Sequence, residues 1–182
     1  MRCTVESSKL SGRAQEITKL LRPLVPRGQQ LACRPRLLDR HMVLSAYLGS
    51  EPLDPDPNLW RFTTRVPHVR ASYHERWIPT DFRQQSFFLD RAYLHLYLRH
   101  DKNEEDEILA LHCDPNESQS ERHFRYKAGP HIHMTTAADP LCHSHIALNN
   151  SDFTQVLSSV STLTVALKTA ITMVDHQVLA LL

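Results

Sequence analysis

No stretch of the 182-residue chain approaches the roughly 20 consecutive apolar residues that a membrane-spanning helix needs. Its first residues carry no apolar run of the signal-peptide type, so a soluble, cytoplasmic protein without membrane contact is expected. Paired cysteine spacing is also missing. Cys3, Cys33, Cys113 and Cys142 are scattered, which in a chain of this length argues for reduced thiols and against a disulfide framework. Internal repeats and low-complexity segments are absent, and nothing in the composition suggests disorder, collagen or a coiled coil. The length suits one domain spanning residues 1–182, with a core of its own.

Net charge is only +1, but its distribution is uneven. Residues 1–100 hold 16 Lys+Arg against 9 Asp+Glu, whereas residues 101–182 hold 5 against 11. Lysine is scarce in the first half, where 14 of the 16 basic residues are arginine. Arginine favours bidentate contact with phosphate or carboxylate, so this half suits a nucleic acid, an acidic protein partner or a solvated face.

Residues 10–24 carry Ile17, Leu20, Leu21 and Leu24 at helical spacing, with Ser8 or Ser11 as candidate cap and Pro23 and Pro26 at the end. Residues 37–48 read as one strand, and the segment around Pro52, Pro55 and Pro57 as a loop. Further strands are expected over 60–66, 68–75 and 87–100, the last with Ala92, Leu94, Leu96 and Leu98 alternating with Tyr93, His95, Tyr97 and Arg99. The acidic run 101–107 reads as a turn, followed by strands over 108–113 and 122–127 in an antiparallel meander. His95 reads as a satisfied surface or half-buried residue on the polar face of its strand. From residue 152 to about 181 the pattern is helical, with Ser151 or Asp152 as cap and a break near Ser161–Thr162. The expected fold is α+β: a curved antiparallel sheet of five to seven strands over about 37–148, with N-terminal and C-terminal helices packed on one face.

Two histidine pairs carry the most chemistry: His131-Ile132-His133 and His143-Ser144-His145. Alternate residues of a strand share a face, about 6.7 Å apart, and neighbouring strands lie about 4.8 Å apart. Four imidazoles could therefore converge if the two segments form a hairpin in the right register. Imidazole transfers protons near neutral pH and is the commonest metal ligand. One possibility is phosphodiester cleavage, with His131 or His133 as base, His143 or His145 as acid, and Arg125, Tyr126 and Lys127 binding phosphate. Another is a divalent metal such as zinc held by three or four of these histidines, with Cys142, Cys113 or Asp139 as further candidates. The third is a structural or interface role in a histidine-rich chain. The pairs lack the H-x-[ST] form of two-histidine phosphoesterases, and no glutamate follows His133 as in cupin metal sites.

The segment from His123 to His133 contains Phe124-Arg125-Tyr126 and Pro130-His131; His143-Ser144-His145 and a helical stretch follow. Over about residues 86–160 this resembles the signature region of the TumE family of bacterial toxins, in which a β-meander, two histidine-rich motifs and a closing helix occur in that order. Lys127 stands where that family tends to have an acidic residue, and Ala128-Gly129 replaces an asparagine-containing turn. The resemblance implies a toxin-like or antiphage-defence protein, a ribonuclease-like or other phosphodiester hydrolase, with an antitoxin or other protein partner. The alternative is a non-enzymatic structural or regulatory subunit of a larger complex, using its last helix and its arginine-rich face as interfaces.

Overall fold

The computed structural model describes residues 3–49, 53–100, 104–115, 129–133, 145–148 and 153–182. Among them nine strands form one antiparallel sheet: β1 (Thr4–Glu6), β2 (Leu31–Leu38), β3 (His41–Leu48), β4 (Phe62–Thr63), β5 (Val69–Pro79), β6 (Ser86–Arg99), β7 (Glu105–Cys113), β8 (His131–His133) and β9 (His145–Ala147). The order is β2-β3-β5-β6-β7-β8-β9, with β1 on β6 and β4 on β5. The α+β architecture is as expected, but the sheet is larger. The helices are α1 (Leu10–Leu21), the short α2 (Phe153–Val156) and α3 (Val160–Val174), which runs into a π-helical turn over Asp175–Leu179. No helix among the described residues is long and apolar enough to cross a membrane.

Three local differences from the sequence pattern have physical causes. Residues 37–48 hold a hairpin, because Asp39 (φ 48°) and Arg40 (φ 67°) both take the left-handed conformation between Leu38 and its partner His41. That is the backbone of a tight primed turn, built without the usual glycine. The acidic run contributes Glu105–Glu107 to β7, where Glu105 binds Arg61 and Arg70 across the sheet. The C-terminal helices separate at 157–159, since the Ser159 hydroxyl accepts from the Thr162 amide at 3.1 Å and the Thr162 hydroxyl accepts from the Ser159 amide at 3.1 Å. This reciprocal cap starts α3 at Val160. Neither Ser8 nor Ser11 caps α1, which continues from a 3-10 turn over Ser7–Lys9. The expected strand over 122–127 and the caps Ser151 and Asp152 lie outside the described residues.

Alternation divides the sheet into two faces. Leu44, Tyr73, Trp77, Leu94, Leu96 and Leu111 point to one side and are buried against Ile17 and Leu21 of α1 and Leu163, Leu167 and Ile171 of α3. The other face carries His74, Tyr93, His95, Tyr97 and His112, all half-buried. Two bulges keep this division while curving the sheet. Asp90 is the extra residue where Arg76 pairs with Arg91 but Trp77 with Leu89. Ile108 is the extra residue where Leu96 pairs with Leu109 but Tyr97 with Glu107. The second bulge reverses the parity of β7 and so puts Glu107 on the histidine face.

At the centre of the helix-covered face lies a buried ion pair. Arg13 donates to both Glu75 oxygens, at 3.0 and 2.6 Å, and the same carboxylate accepts from Tyr73 at 2.7 Å and Trp77 at 3.0 Å. Arg13 also donates to Thr164 of α3 at 2.5 Å. Removing one partner of such a pair strands a charge in the core. Glu75→Ala should therefore cost about 3–5 kcal/mol in urea unfolding, and Arg13→Met with Glu75→Leu should cost clearly less than Glu75→Ala alone.

Candidate metal centre on the open face of the sheet

Strand register brings the site together. His74 pairs with Tyr93, Tyr93 with His112, and His112 with His131, one row across β5, β6, β7 and β8. One step along, His95 pairs with Ala110, Ala110 with His133, and His133 with His145. Cross-strand partners share a face, so the side chains of His74, Tyr93, His112 and His131 and of His95, Ala110 and His133 belong to the side away from the helices. The rings stack directly: Tyr93 on His112 with centroids 3.9 Å apart, and His112 on His133 at 5.2 Å.

Asp114 follows His112 by two residues and comes to the same place. One ligand atom each from His112, Asp114 and His131 lies within 4.8 Å of the other two. The group can hold a metal ion, and several features orient it. His131 Nδ1 lies 3.0 Å from the Gly129 carbonyl and donates to it, which leaves the lone pair on Nε2. That Nε2 faces Asp114 Oδ2 at 3.8 Å, less than the sum of a Zn–N and a Zn–O bond at about 2.0–2.2 Å each, so one ion can touch both. Tyr93 donates to the other oxygen, Oδ1, at 2.5 Å and fixes the rotation of the carboxylate. Carbonyl and hydroxyl partners of this kind set ligand tautomer and direction in metal sites.

Behind His112 runs a chain of hydrogen bonds. His95 Nδ1 lies 2.5 Å from Glu107 Oε2, and His95 Nε2 lies 3.1 Å from His112 Nε2. Glu107 accepts from Nδ1, so the His95 ring is held between that carboxylate and the His112 ring. The hydrogen bond from His95 holds the Glu107 carboxyl below its ordinary value. Burial, with neighbouring histidines adding to it, pushes His112 down to about 2, so its ring is neutral and can ligate across the ordinary pH range.

Of the residues singled out from sequence, His131 and His133 stand at or beside this centre. The backbone of His145 pairs with His133, while the side chain of His145 lies outside the description. His143, Arg125, Tyr126, Lys127, Cys142 and Asp139 also lie outside the described residues. Cys113 does not join the group: it is buried in the core on the helix side, where desolvation pushes its thiol well above the ordinary value. Sequence reasoning missed His112, Asp114, Tyr93 and Glu107 and treated His95 as a bystander. The signal was present in the alternation of Tyr93, His95 and Tyr97 and in the H-x-D spacing of His112 and Asp114.

Comparison with known proteins finds no matching family model, no matching curated protein and no matching solved structure.

The depressed histidines make stability depend on pH. Burial is the main cause that holds His74 down to about 3. Between pH 6.5 and 3 the unfolded chain binds a proton at His74 that the folded chain does not, so stability is fully present above 6.5 and falls as pH drops. Urea unfolding of metal-free protein from pH 7.5 to 5 should show this loss. His74→Phe should remove up to about 1.4 kcal/mol per pH unit from the slope at its acidic end.

Proposed function

We propose that the chain is a metal-dependent phosphodiester hydrolase acting on nucleic acid or nucleotides, as a toxin-like or defence-like protein would be. The observation that carries this reading is the convergence of His112, Asp114 and His131 on the open face, backed by the His95–Glu107 chain and flanked by His133. A divalent cation such as zinc bound there would lower the pKa of a bound water and polarise a phosphoryl oxygen. His112, Asp114 and His131 would hold it, and Tyr93, Gly129 and His95 would keep the ligands aimed. His133, stacked on His112, would take the proton from the attacking water. As the new P–O bond forms and the ester P–O bond breaks, the departing oxygen needs a proton; His143 or His145 would donate it. Arg125, Tyr126 and Lys127 are the candidates for phosphate binding from the segment before β8.

Elemental analysis of untagged protein should find about one zinc or similar ion per chain, falling to near zero in His112→Ala with His131→Ala. Hydrolysis of RNA or DNA by the metal-loaded protein should be lost in the same variant. His95→Phe should weaken metal affinity about 10–100-fold in a chelator competition. Full hydrolytic activity in the His112/His131 variant would sink the proposal.

A second reading, a non-enzymatic subunit with a protein partner, has one observation in its favour. An apolar groove runs along α3 between Val156, Val165, Ala166, Met173, Pro130 and Leu148, and Val165 is 64% exposed. On that reading light scattering should show mass rising with concentration, and a monodisperse monomer would count against it.

A further inference from the structure

The sheet ends in an open edge at β2, where no strand among the described residues pairs with the outer side. The tight turn at Asp39 and Arg40 makes Leu38 and His41 the hydrogen-bonded pair that closes the hairpin, so Arg36, Arg34 and Ala32 bond to β3 in turn. The amides of Leu31, Cys33 and Leu37, and the carbonyls of these residues and Pro35, then point outward. Pro35 has no N–H and falls at an outward position, where it removes no bond from the sheet. Such an edge can take a further strand by main-chain hydrogen bonds, and the side chains of alternate residues choose which strand.

On the open face β2 presents Arg34 and Arg36, both exposed, and the strand holds no carboxylate. The Arg34 guanidinium lies 5.2 Å from the ring centre of Tyr47, and that of Arg36 lies 6.0 Å from the ring centre of Trp60. The rings hold these groups in place without neutralising them. Neither arginine has an ion-pair partner among the described residues. Asp54 and Asp56, in the loop before Trp60, turn onto the amides of Asp56 and Asn58 at 2.8 and 2.9 Å. On the helix side Leu37 is 61% exposed. A hollow of about 370 Å³ opens at that end of the strand, lined by Arg36, Leu37, Leu53, Pro55 and Trp60.

A second copy of β2 fits this edge poorly. Pairing centred on Pro35 would set Arg34 of each chain opposite Arg36 of the other, with no donor on either proline. The arginines that bar a copy favour a strand of opposite charge. We infer that β2 docks an extended segment of a protein partner along its outer edge, with two carboxylates two residues apart against Arg34 and Arg36 and apolar side chains on the other side against Pro35 and Leu37. This edge lies at the opposite end of the sheet from β8 and β9, so the inference goes beyond the reading of the histidine centre and does not depend on it.

The test uses a fluorescein-labelled peptide of about nine residues, alternating glutamate and valine, with a glutamine–valine peptide as control, both titrated by anisotropy. The glutamate peptide should bind saturably and at least about 10-fold more tightly than the control, losing affinity as salt rises. Arg34→Gln with Arg36→Gln should abolish the preference, leaving the two peptides within about 2-fold of each other. Leu37→Ser should weaken both peptides about 3-fold or more. Thermal melts confirm that the variants fold. Hydrogen exchange on the unaltered chain reads the docking without any variant: the amides of Leu31, Cys33 and Leu37 should exchange at least about 10-fold more slowly with the glutamate peptide bound. No saturable binding, equal affinity of the unaltered chain for the two peptides, or binding with no slowing at β2 would overturn the inference. An oligo-dT of about eight nucleotides that binds more tightly than the glutamate peptide, and is lost in the double arginine variant, would overturn it in favour of nucleic acid.

Discussion

Everything in this fold is organised around the carboxylate of Glu75. It sits at zero exposure in the middle of β5, the strand that pairs with β3, β4 and β6. Four donated hydrogen bonds and the Arg13 charge satisfy it. Because Arg13 belongs to α1 and also binds Thr164 of α3, one charged group ties both helices to one face of the sheet. A buried ion pair of this kind adds little stability over a hydrophobic replacement. What it contributes here is position, since any slip of β5 by one residue would carry Glu75 to the opposite face and leave Arg13 buried without it.

That constraint settles the open face as well. With Tyr73, Glu75 and Trp77 facing the helices, His74 must face away, and the strand pairings then carry the same orientation to Tyr93, His112 and His131. The chemistry of the site is therefore a property of the sheet. Its candidate ligands come from two adjacent strands and the residue that follows one of them, supported by β6 and by a carboxylate that a bulge at Ile108 turns toward His95. Side chains on strands are held more narrowly than those on loops, which suits a group whose three donor atoms lie within 4.8 Å of one another.

Much of the fold was legible in the sequence, because strict alternation in 87–100 and helical spacing at both ends are strong signals. The two-faced sheet with helices on one side followed from them. The β2–β3 hairpin was not legible, since Asp39-Arg40 carries none of the glycine or asparagine that usually marks a primed turn. Nor was the β7 strand through Glu105–Glu107, where an acidic run reads as a solvated turn until the arginines opposite are known. The site was half legible. H-x-H spacing pointed to His131 and His133, but their partners in the centre, His112 and Asp114, lie about twenty residues earlier. Only register, which alternation alone does not specify between strands, joins them.

The most direct test is anomalous diffraction at the zinc edge from crystals grown with one equivalent of zinc. A single peak within about 2.0–2.2 Å of donor atoms from His112, Asp114 and His131 is the predicted result. Zinc found instead on an exposed histidine such as His176, with no peak between these three residues, would contradict the account of the open face as a metal centre.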